Sequence, residues 1–159
     1  MTKKLSIFAK LHAATLFVVS AVVLFGAATA SAQTGPFSFF AVAPCRVVDT
    51  RNPTSTNGGP IMGQGGTRTF AIRNNCGVPA GAAAVSLNVT VAGATTASFL
   101  TIWPAGTTRP VVSTINFTQN DPSLANGAIV GLGAGSPDLS VFNSGGNVHV
   151  IIDITGFFQ

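Results

Sequence analysis

The chain has 159 residues, with eight Lys and Arg against four Asp and Glu, which gives a formal net charge of +4. All three lysines lie at or before position 10, and the rest of the chain carries five arginines and four aspartates, a net charge of +1. Because nucleic-acid binding needs a clustered basic surface to neutralise phosphates, no nucleic-acid partner is expected.

The segment Met1–Ala32 has the layout of an export signal. It begins with lysines, continues with an apolar core over 16–25, and ends in the small-residue sequence Ala30-Ser31-Ala32, after which signal peptidases cut. We therefore expect a protein that is secreted or associated with the cell surface, begins at Gln33, and has no stable membrane insertion after cleavage. The alternative is an uncleaved anchor, since 11–30 is barely long enough to span a bilayer.

The remaining residues, 33–159, are enough for one domain with a core and too few for two. They contain no Lys, Glu or Tyr and are rich in Gly, Ser, Thr, Asn and Ala. Lys and Glu favour exposed helix faces, whereas Thr, Val, Ile and Phe suit strands, so the composition favours an all-β domain. With so few charges, self-association would be unsurprising.

Cys45 and Cys76 are the two cysteines of the chain, and both follow the predicted cleavage site. An even count in an oxidising compartment predicts a disulfide. The alternative is a free nucleophilic cysteine, which would need a neighbouring base, and His149 is the one histidine after Ala32.

The first half of the mature chain alternates strand-like and turn-rich segments. A Pro, Gly, Asn and Ser-rich loop is predicted over 52–66. The clearest signal is 83–92, where apolar and polar residues alternate with period two, and 98–103 is predicted to be its hairpin partner. The strands predicted in this half are 37–42, 45–51 (separated from the first at Ala43-Pro44), 67–73, 83–92 and 98–103.

In the second half, Asp121-Pro122-Ser123 is the one good helix start, an N-cap followed by Pro, but Gly127 would end the helix within about a turn. The strands predicted here are 110–117, 128–132, 138–142 and 148–158. Eight or nine short strands with Gly-rich turns, no long helix and no internal repeat predict a β-sandwich or a jelly-roll-like domain.

These segments together resemble a module of exported proteins from actinobacteria, acidobacteria and related groups, often in tandem and sometimes beside predicted cell-wall amidases. The resemblance implies an extracellular β-rich module with the two cysteine positions paired, and it brings no activity or ligand. This chain holds a single copy. The matching sequences, in order, are Pro44-Cys-Arg-Val-Val-Asp-Thr-Arg51, Cys76-Gly-Val-Pro79, Ala84-Val-Ser-Leu-Asn-Val-Thr90, Leu100-Thr-Ile-Trp-Pro-Ala-Gly106, Arg109-Pro-Val-Val-Ser-Thr-Ile-Asn116, Ala125-Asn-Gly-Ala-Ile-Val130 and Ile152-Asp-Ile-Thr-Gly-Phe-Phe158.

His149 and Asp153 invite a catalytic interpretation with a serine. Four residues along one strand would place them about 13 Å apart on the same face, too far for a base and its orienting carboxylate. We therefore expect an edge or surface histidine and no catalytic residues. A glycosidase pair would have to come from four scattered aspartates.

Metal binding is weakly supported by the sequence. One histidine and two cysteines that are expected to be bridged leave no zinc ligand set. Calcium is a further possibility, since aspartates and backbone carbonyls supply oxygens, but no EF-hand spacing is present. Neither a metal nor a cofactor is expected. The four aspartates in question are Asp49, Asp121, Asp138 and Asp153.

A structural polar network is predicted from the remaining charges and amides. Asp49 and Arg51 would lie on one strand face, and Arg109 would pair with Asp49 or Asp153 across the sheet. Asparagine amides would bind strand ends. The alternative is an anion or sugar contact. The full candidate network is Asp49, Arg51, Asn88, Arg109, Asn116, Asn126 and Asp153.

Two aromatic features suggest binding surfaces. Trp103 could stack on a sugar, but core packing is the expectation. Phe37, Phe39 and Phe40 form a candidate assembly strand, which would pair either with another subunit's sheet edge or with the domain's own sheet. The function expected is therefore a non-enzymatic structural or adhesive module of the cell envelope or matrix, and the alternative is a module that binds cell-wall or extracellular glycan.

Overall fold

The structure, a computed structural model, describes residues 35–159. The predicted export signal lies outside the described residues. Eight strands form two antiparallel four-stranded sheets, and residues 35–159 contain no helix, so the predicted all-β sandwich is confirmed. The strands are β1 (Phe39–Asp49), β2 (Thr67–Phe70), β3 (Ala84–Ala92), β4 (Ser98–Pro104), β5 (Ile115–Phe117), β6 (Ser123–Gly131), β7 (Leu139–Asn143) and β8 (His149–Phe158).

The larger sheet has the order β1-β8-β3-β6, and the smaller sheet has the order β2-β7-β4-β5. In β3 the predicted alternation is present, with Val85 and Val89 fully buried and Ser86 and Asn88 partly exposed on the outer face. The core lies between the two sheets, because apolar residues of both inner faces are removed from water there. Its fully buried members include Val48, Phe70, Leu100, Leu139, Val141, Val150, Ile152 and Ile154.

Strand β1 continues through Pro44, where a break had been predicted. Two register shifts against β8, between Ala41 and Cys45 and between Arg46 and Val48, accommodate the proline in this edge strand. The predicted disulfide is confirmed: Cys45 in β1 is bonded to Cys76, 31 residues further along the chain. The bond therefore fixes the centre of the first strand to the turn that follows β2.

The predicted hairpin between β3 and β4 is wrong. Strand β3 pairs with β6 and β8, whereas β4 lies in the other sheet between β5 and β7. The connection over 93–97 therefore crosses from one sheet to the other. Alternation shows that a strand has one buried face, but both sheets of a sandwich have such a face, so the pattern does not say which sheet a strand joins.

Two further predictions near β5 and β6 are corrected. The short helix at Asp121 does not form; the Asp121 carboxylate instead accepts a hydrogen bond of 2.7 Å from the Thr118 N–H, and β6 starts two residues later. The strand predicted over 110–117 is shorter in the structure and consists of β5 alone. In the residues before β5, side-chain hydrogen bonds to β4 take the place of backbone pairing: the Thr101 hydroxyl donates to the Val112 carbonyl, and the Ile102 N–H donates to the Thr114 hydroxyl.

Candidate functional site

Charged side chains gather on the outer face of the larger sheet, where β1 meets β8. Arg46 and Asp153 are directly opposite in the ladder, and the guanidinium donates two hydrogen bonds of 2.8 and 3.1 Å to the carboxylate. The pKa of Arg46 is raised, chiefly by this hydrogen bond to Asp153. Asp49 lies 3.6 Å from the third nitrogen of the Arg46 guanidinium and so connects the Arg46–Asp153 pair to a second ion pair.

That second pair is formed by Asp49 and Arg51, the predicted neighbours on β1 and the turn after it. The guanidinium donates two bonds of 2.8 and 2.7 Å, and the Arg51 backbone N–H adds a third of 3.1 Å to the same carboxylate. Asp49 is buried, and these hydrogen bonds from Arg51 lower its pKa to about 2. The carboxylate therefore stays ionised as a structural group, since it has no tendency to take up a proton near neutral pH.

A small groove of about 190 Å³ lies beside this charged cluster. Its polar lining comes from Arg46 and Asp49 and from the loop after β1, which contributes Asn52, Ser55 and Asn57. Two arginines and two aspartates cancel in charge here, so the groove suits neutral hydroxyl groups better than an anion. The groove is therefore the place where the alternative of a sugar contact would apply.

The asparagines of the predicted network serve separate places. Asn88 is directly opposite Asp153 in the ladder and so lies in the same row as Arg46, with its amide donating to Thr90 at 3.3 Å. Asn126 donates to the Thr114 carbonyl at 2.8 Å and ties β6 to the segment before β5, whereas Asn116 contacts Ser113. Of these three asparagines, only Asn88 therefore lies on the charged face. Asn126 binds the backbone just before a strand, as expected of such amides.

The prediction for Arg109 is wrong. Its guanidinium lies 3.6 Å from the centre of the Phe142 ring in the smaller sheet, a cation–π contact, and does not pair with Asp49 or Asp153. The larger sheet instead supplies Arg46 to Asp153 from the adjacent strand. Strand register decides between such partners across strands, because residues directly opposite each other on one face lie closest together.

The most deeply buried ion pair, Arg73–Asp138, was missed by the sequence reasoning. Asp138 is 0% exposed and accepts the backbone N–H groups of Ile72 at 2.8 Å and Arg73 at 3.0 Å, with the Arg73 guanidinium at 3.5 Å. Arg73 also donates to the carbonyls of Ala82 and Gly133. The sequence carries no local signal for this contact, because Asp138 is 65 and 66 residues from the two backbone donors.

The residues considered for catalysis are kept apart. The ring nitrogen Nδ1 of His149 lies 3.2 Å from the Thr50 hydroxyl, while the Asp153 carboxylate is held by Arg46. The histidine therefore lacks the carboxylate partner that a Ser-His-Asp arrangement requires.

The four aspartates considered for calcium also lie with different partners, namely Arg51, Arg46, Arg73 and the Thr118 turn. Within residues 35–159, no three His, Cys, Asp or Glu side chains are grouped closely enough to hold a metal ion. These carboxylates are therefore arranged to bind arginine and backbone N–H groups.

The aromatic residues pack within the domain. Trp103 is buried and its indole N–H donates to the Thr107 carbonyl at 3.1 Å, but it lies outside the cluster of core residues that includes its neighbour Ile102. Phe39 and Phe40 pair with Phe158 and Phe157 on β8, with ring centres 5.1 Å apart in both cases. Of the two alternatives for this strand, pairing in its own sheet is the one observed. All three N-terminal phenylalanines nevertheless keep more than a third of their surface exposed.

A larger open cleft of about 910 Å³ lies at one end of the sandwich. Its walls are mostly small: the Ala-Gly segment 80–84 forms one side and 131–136 the other, with Phe37 at the rim. The one charged group in the lining, Arg73, already donates to backbone carbonyls and to Asp138. The cleft therefore offers shape and apolar surface but few polar groups to fix the orientation of a ligand.

Comparison with known proteins finds no matching family model, no matching curated sequence and no matching solved structure. The resemblance to the exported β-rich module stays a prediction. No helix within residues 35–159 has the length and apolar character needed to span a membrane. Function is therefore inferred from the contacts, charges and sheet edges of the described residues.

Proposed function

We propose that the mature domain is a non-enzymatic structural or adhesive module, exported to the cell envelope or the extracellular matrix. The observation that carries the proposal is that each of the four aspartates has an intramolecular partner, Asp49 with Arg51, Asp153 with Arg46, Asp138 with Arg73 and Asp121 with Thr118. General acid–base chemistry needs a carboxyl or imidazole group that can reach a substrate proton. Carboxylates that are already bound to arginines or to a backbone N–H are poorly placed for that role.

Two further features support export and an adhesive role. The disulfide Cys45–Cys76 ties β1 to a distant turn, and disulfides persist in oxidising compartments. Loss of Met1–Ala32 would also leave a surface that depends on amides and hydroxyls for its solubility, because so few charges remain. Such a surface favours contact with other neutral surfaces, including further copies of the domain and hydroxyl-rich polymers.

The first test is to express the full chain in a secreting bacterium and to determine where it resides and where it begins. Mass spectrometry of the intact protein and of its N-terminal peptide is expected to place the start at Gln33, as glutamine or as its cyclised pyroglutamate form, in protein recovered from the medium or from the outside of the envelope. A chain that keeps residue 1 and partitions with membranes would instead support the anchor and contradict export of a released domain.

The second test addresses chemistry. Exported protein is incubated with purified cell walls and with extracellular polysaccharide, and released fragments are measured beside the His149→Ala variant. No release is expected from either protein. Hydrolysis by the wild type that is lost in the variant would contradict a non-enzymatic role.

A second candidate function, glycan binding, is favoured by the groove beside the charged cluster. Arg46, Asn52 and Ser55 present hydrogen-bonding groups there, and the nearby charges cancel. If the groove binds glycan, the double change Asn52→Ala/Ser55→Ala reduces co-sedimentation with purified cell walls, while Asn116→Ala on the smaller sheet leaves it unchanged. Equal sedimentation of all three proteins would remove the groove from consideration.

A further inference from the structure

Strand β6 forms one edge of the larger sheet, and within the described residues only β3 pairs with it. The Leu132 N–H donates to the Ala83 carbonyl, and these two residues continue the register of the β3–β6 ladder. Because hydrogen-bonded pairs recur at every second residue of an antiparallel ladder, the even-numbered residues of β6 direct their N–H and C=O groups to β3. The odd-numbered residues therefore direct their N–H and C=O groups outward. Those residues include Ser123, Ala125, Gly127 and Ile129.

This edge lacks the features by which proteins usually protect exposed strands. The sequence from Pro122 to Pro137 carries no charge, β6 contains no proline, and its nine-residue ladder with β3 runs without a register shift. An unprotected edge of this length and neutrality is a ready site for pairing with another strand.

The opposite edge of the same sheet is protected by comparison. Strand β1 contains Pro44 and two register shifts, and Arg46 places a charge on it. Near its end, the Asp49 N–H is covered by a hydrogen bond of 3.0 Å to the Asn57 carbonyl. The two edge strands of this sheet thus differ, and of the two only β6 is long, regular and uncharged.

Two exposed apolar side chains lie on β6 itself. Ile129 on the outer face is 68% exposed, and Leu124 is more than a third exposed. Val111 and Val112 lie in the segment that Asn126 ties to β6 through Thr114, and both are among the most exposed large apolar residues. A strand that pairs here would gain backbone hydrogen bonds and cover part of this apolar surface.

The β6 sequence is complementary to itself in one antiparallel register. With a two-fold axis at Gly127, each residue i lies opposite residue 254 − i, so outward-facing backbone groups meet outward-facing backbone groups. Ile129 then lies opposite Ala125 on the outer face, and Leu124 lies opposite Val130 on the inner face. Asp121 lies opposite Gly133 and not opposite its own copy, so the two acidic residues do not oppose the pairing.

We propose that β6 is a dimerisation edge, at which a second copy of this chain adds its own β6 in antiparallel register about Gly127, to form one continuous eight-stranded sheet. The interface does not depend on where the protein works or on whether it binds glycan. It also differs from the assembly expected at Phe37, Phe39 and Phe40, since Phe39 and Phe40 lie on β1 at the other edge of the sheet and Phe37 precedes that strand.

The test uses charge at the axis. A side-chain carbon added at Gly127 meets nothing within 4 Å, so Gly127→Lys and Gly127→Asp are both accommodated by the folded single chain. In the dimer, two identical charges would lie directly opposite each other. Gly135→Lys is the matched control, because it adds the same charge at another open glycine in a loop.

The measurement is sedimentation equilibrium of the exported protein over a range of concentrations, with circular dichroism to verify folding. Wild type and Gly135→Lys are expected to dimerise alike, and each Gly127 variant to dimerise about five- to tenfold more weakly. An equimolar mixture of Gly127→Lys and Gly127→Asp is expected to restore the dimer.

A wild-type protein that stays monomeric at all concentrations overturns the proposal, even if β6 pairs with a strand of a different protein. A dimer or larger oligomer that both Gly127 variants leave intact overturns it as well, and loss of that oligomer on Phe39→Ser would assign assembly to β1. Failure of the mixture to restore the dimer, with both variants folded, contradicts the axis at Gly127.

Discussion

Arg46 and Asp153 lie directly opposite each other on β1 and β8, and one guanidinium holds one carboxylate through two hydrogen bonds of 2.8 and 3.1 Å. The pair joins the first and last strands of the domain on the outer face of the larger sheet. Asp49 links it to Arg51, so the charges of this face are satisfied among themselves. The arrangement supports a structural role for this face and predicts how its members respond to substitution.

Asp153→Asn is expected to lower the free energy of unfolding by less than about 1 kcal/mol. The Arg46 side chain is 50% exposed, and exposed ion pairs gain little because water screens the charges. Urea denaturation at neutral pH measures the change. A loss of more than about 2 kcal/mol would show that this pair is far more important to the sheet than its exposure implies.

Asp138→Asn is expected to cost much more, about 3 kcal/mol or above. The substitution keeps the shape but replaces an acceptor oxygen with an N–H group, which then faces the donors of Ile72 and Arg73 in a fully buried place. Urea denaturation of the two asparagine variants side by side compares the same chemical change in an exposed and a buried pair. Equal losses would contradict the difference in burial.

Stability is expected to fall as the pH is lowered through the range from about 4 to about 2, in part because of Asp49. Hydrogen bonds from Arg51 lower the folded-state pKa of Asp49 to about 2, below its ordinary value of 3.8. A depressed pKa contributes stability that is present above the unfolded value and is lost as the pH falls through the folded value.

The free energies of unfolding of wild type and Asp49→Asn, measured by denaturant titration at several pH values, provide the check. The wild type is expected to be more stable at pH 6, and the difference is expected to shrink between pH 4 and pH 2. A difference that is constant over this range would show that the Asp49 carboxylate is not the titrating group.

Removal of the disulfide by Cys45→Ser/Cys76→Ser is expected to lower the free energy of unfolding by about 3–4 kcal/mol, the loop-closure entropy for a separation of 31 residues. Guanidinium denaturation with and without a reductant measures the effect. The reductant should destabilise the wild type and leave the double variant unchanged. Destabilisation of both proteins to the same extent would point to an effect other than the disulfide.

Several sequence predictions were confirmed because they depend on local pattern or on composition. The alternation Val85, Leu87, Val89 and Val91 defines a strand with one buried face, and the structure has that strand. The cysteine count and the expected oxidising compartment predicted the bond between Cys45 and Cys76. The lack of Lys and Glu after the first segment predicted an all-β domain, since strong formers of exposed helix are missing.

Other features depend on residues far apart in the chain. The helix start at Asp121 is locally sound, but nine ladder pairs between β6 and β3 stabilise a strand there and override a marginal single turn. Arg109 and Arg46 are chemically equivalent candidates for Asp153, and the register of β1 against β8 selects Arg46. Asp138 and Arg73 are 65 residues apart, so no local pattern joins them.

The sequence by itself determined that the chain forms strands, which faces of those strands are apolar, and that two cysteines are available to close a loop. Side-chain chemistry and period-two alternation are local properties, and each can be counted along the chain. Only the tertiary structure decided that β3 and β4 belong to different sheets, that Arg46 takes the place expected of Arg109, and that β6 is left as an open edge. Sheet membership and register depend on which distant strands meet, and many pairings bury the same apolar faces before the fold selects one.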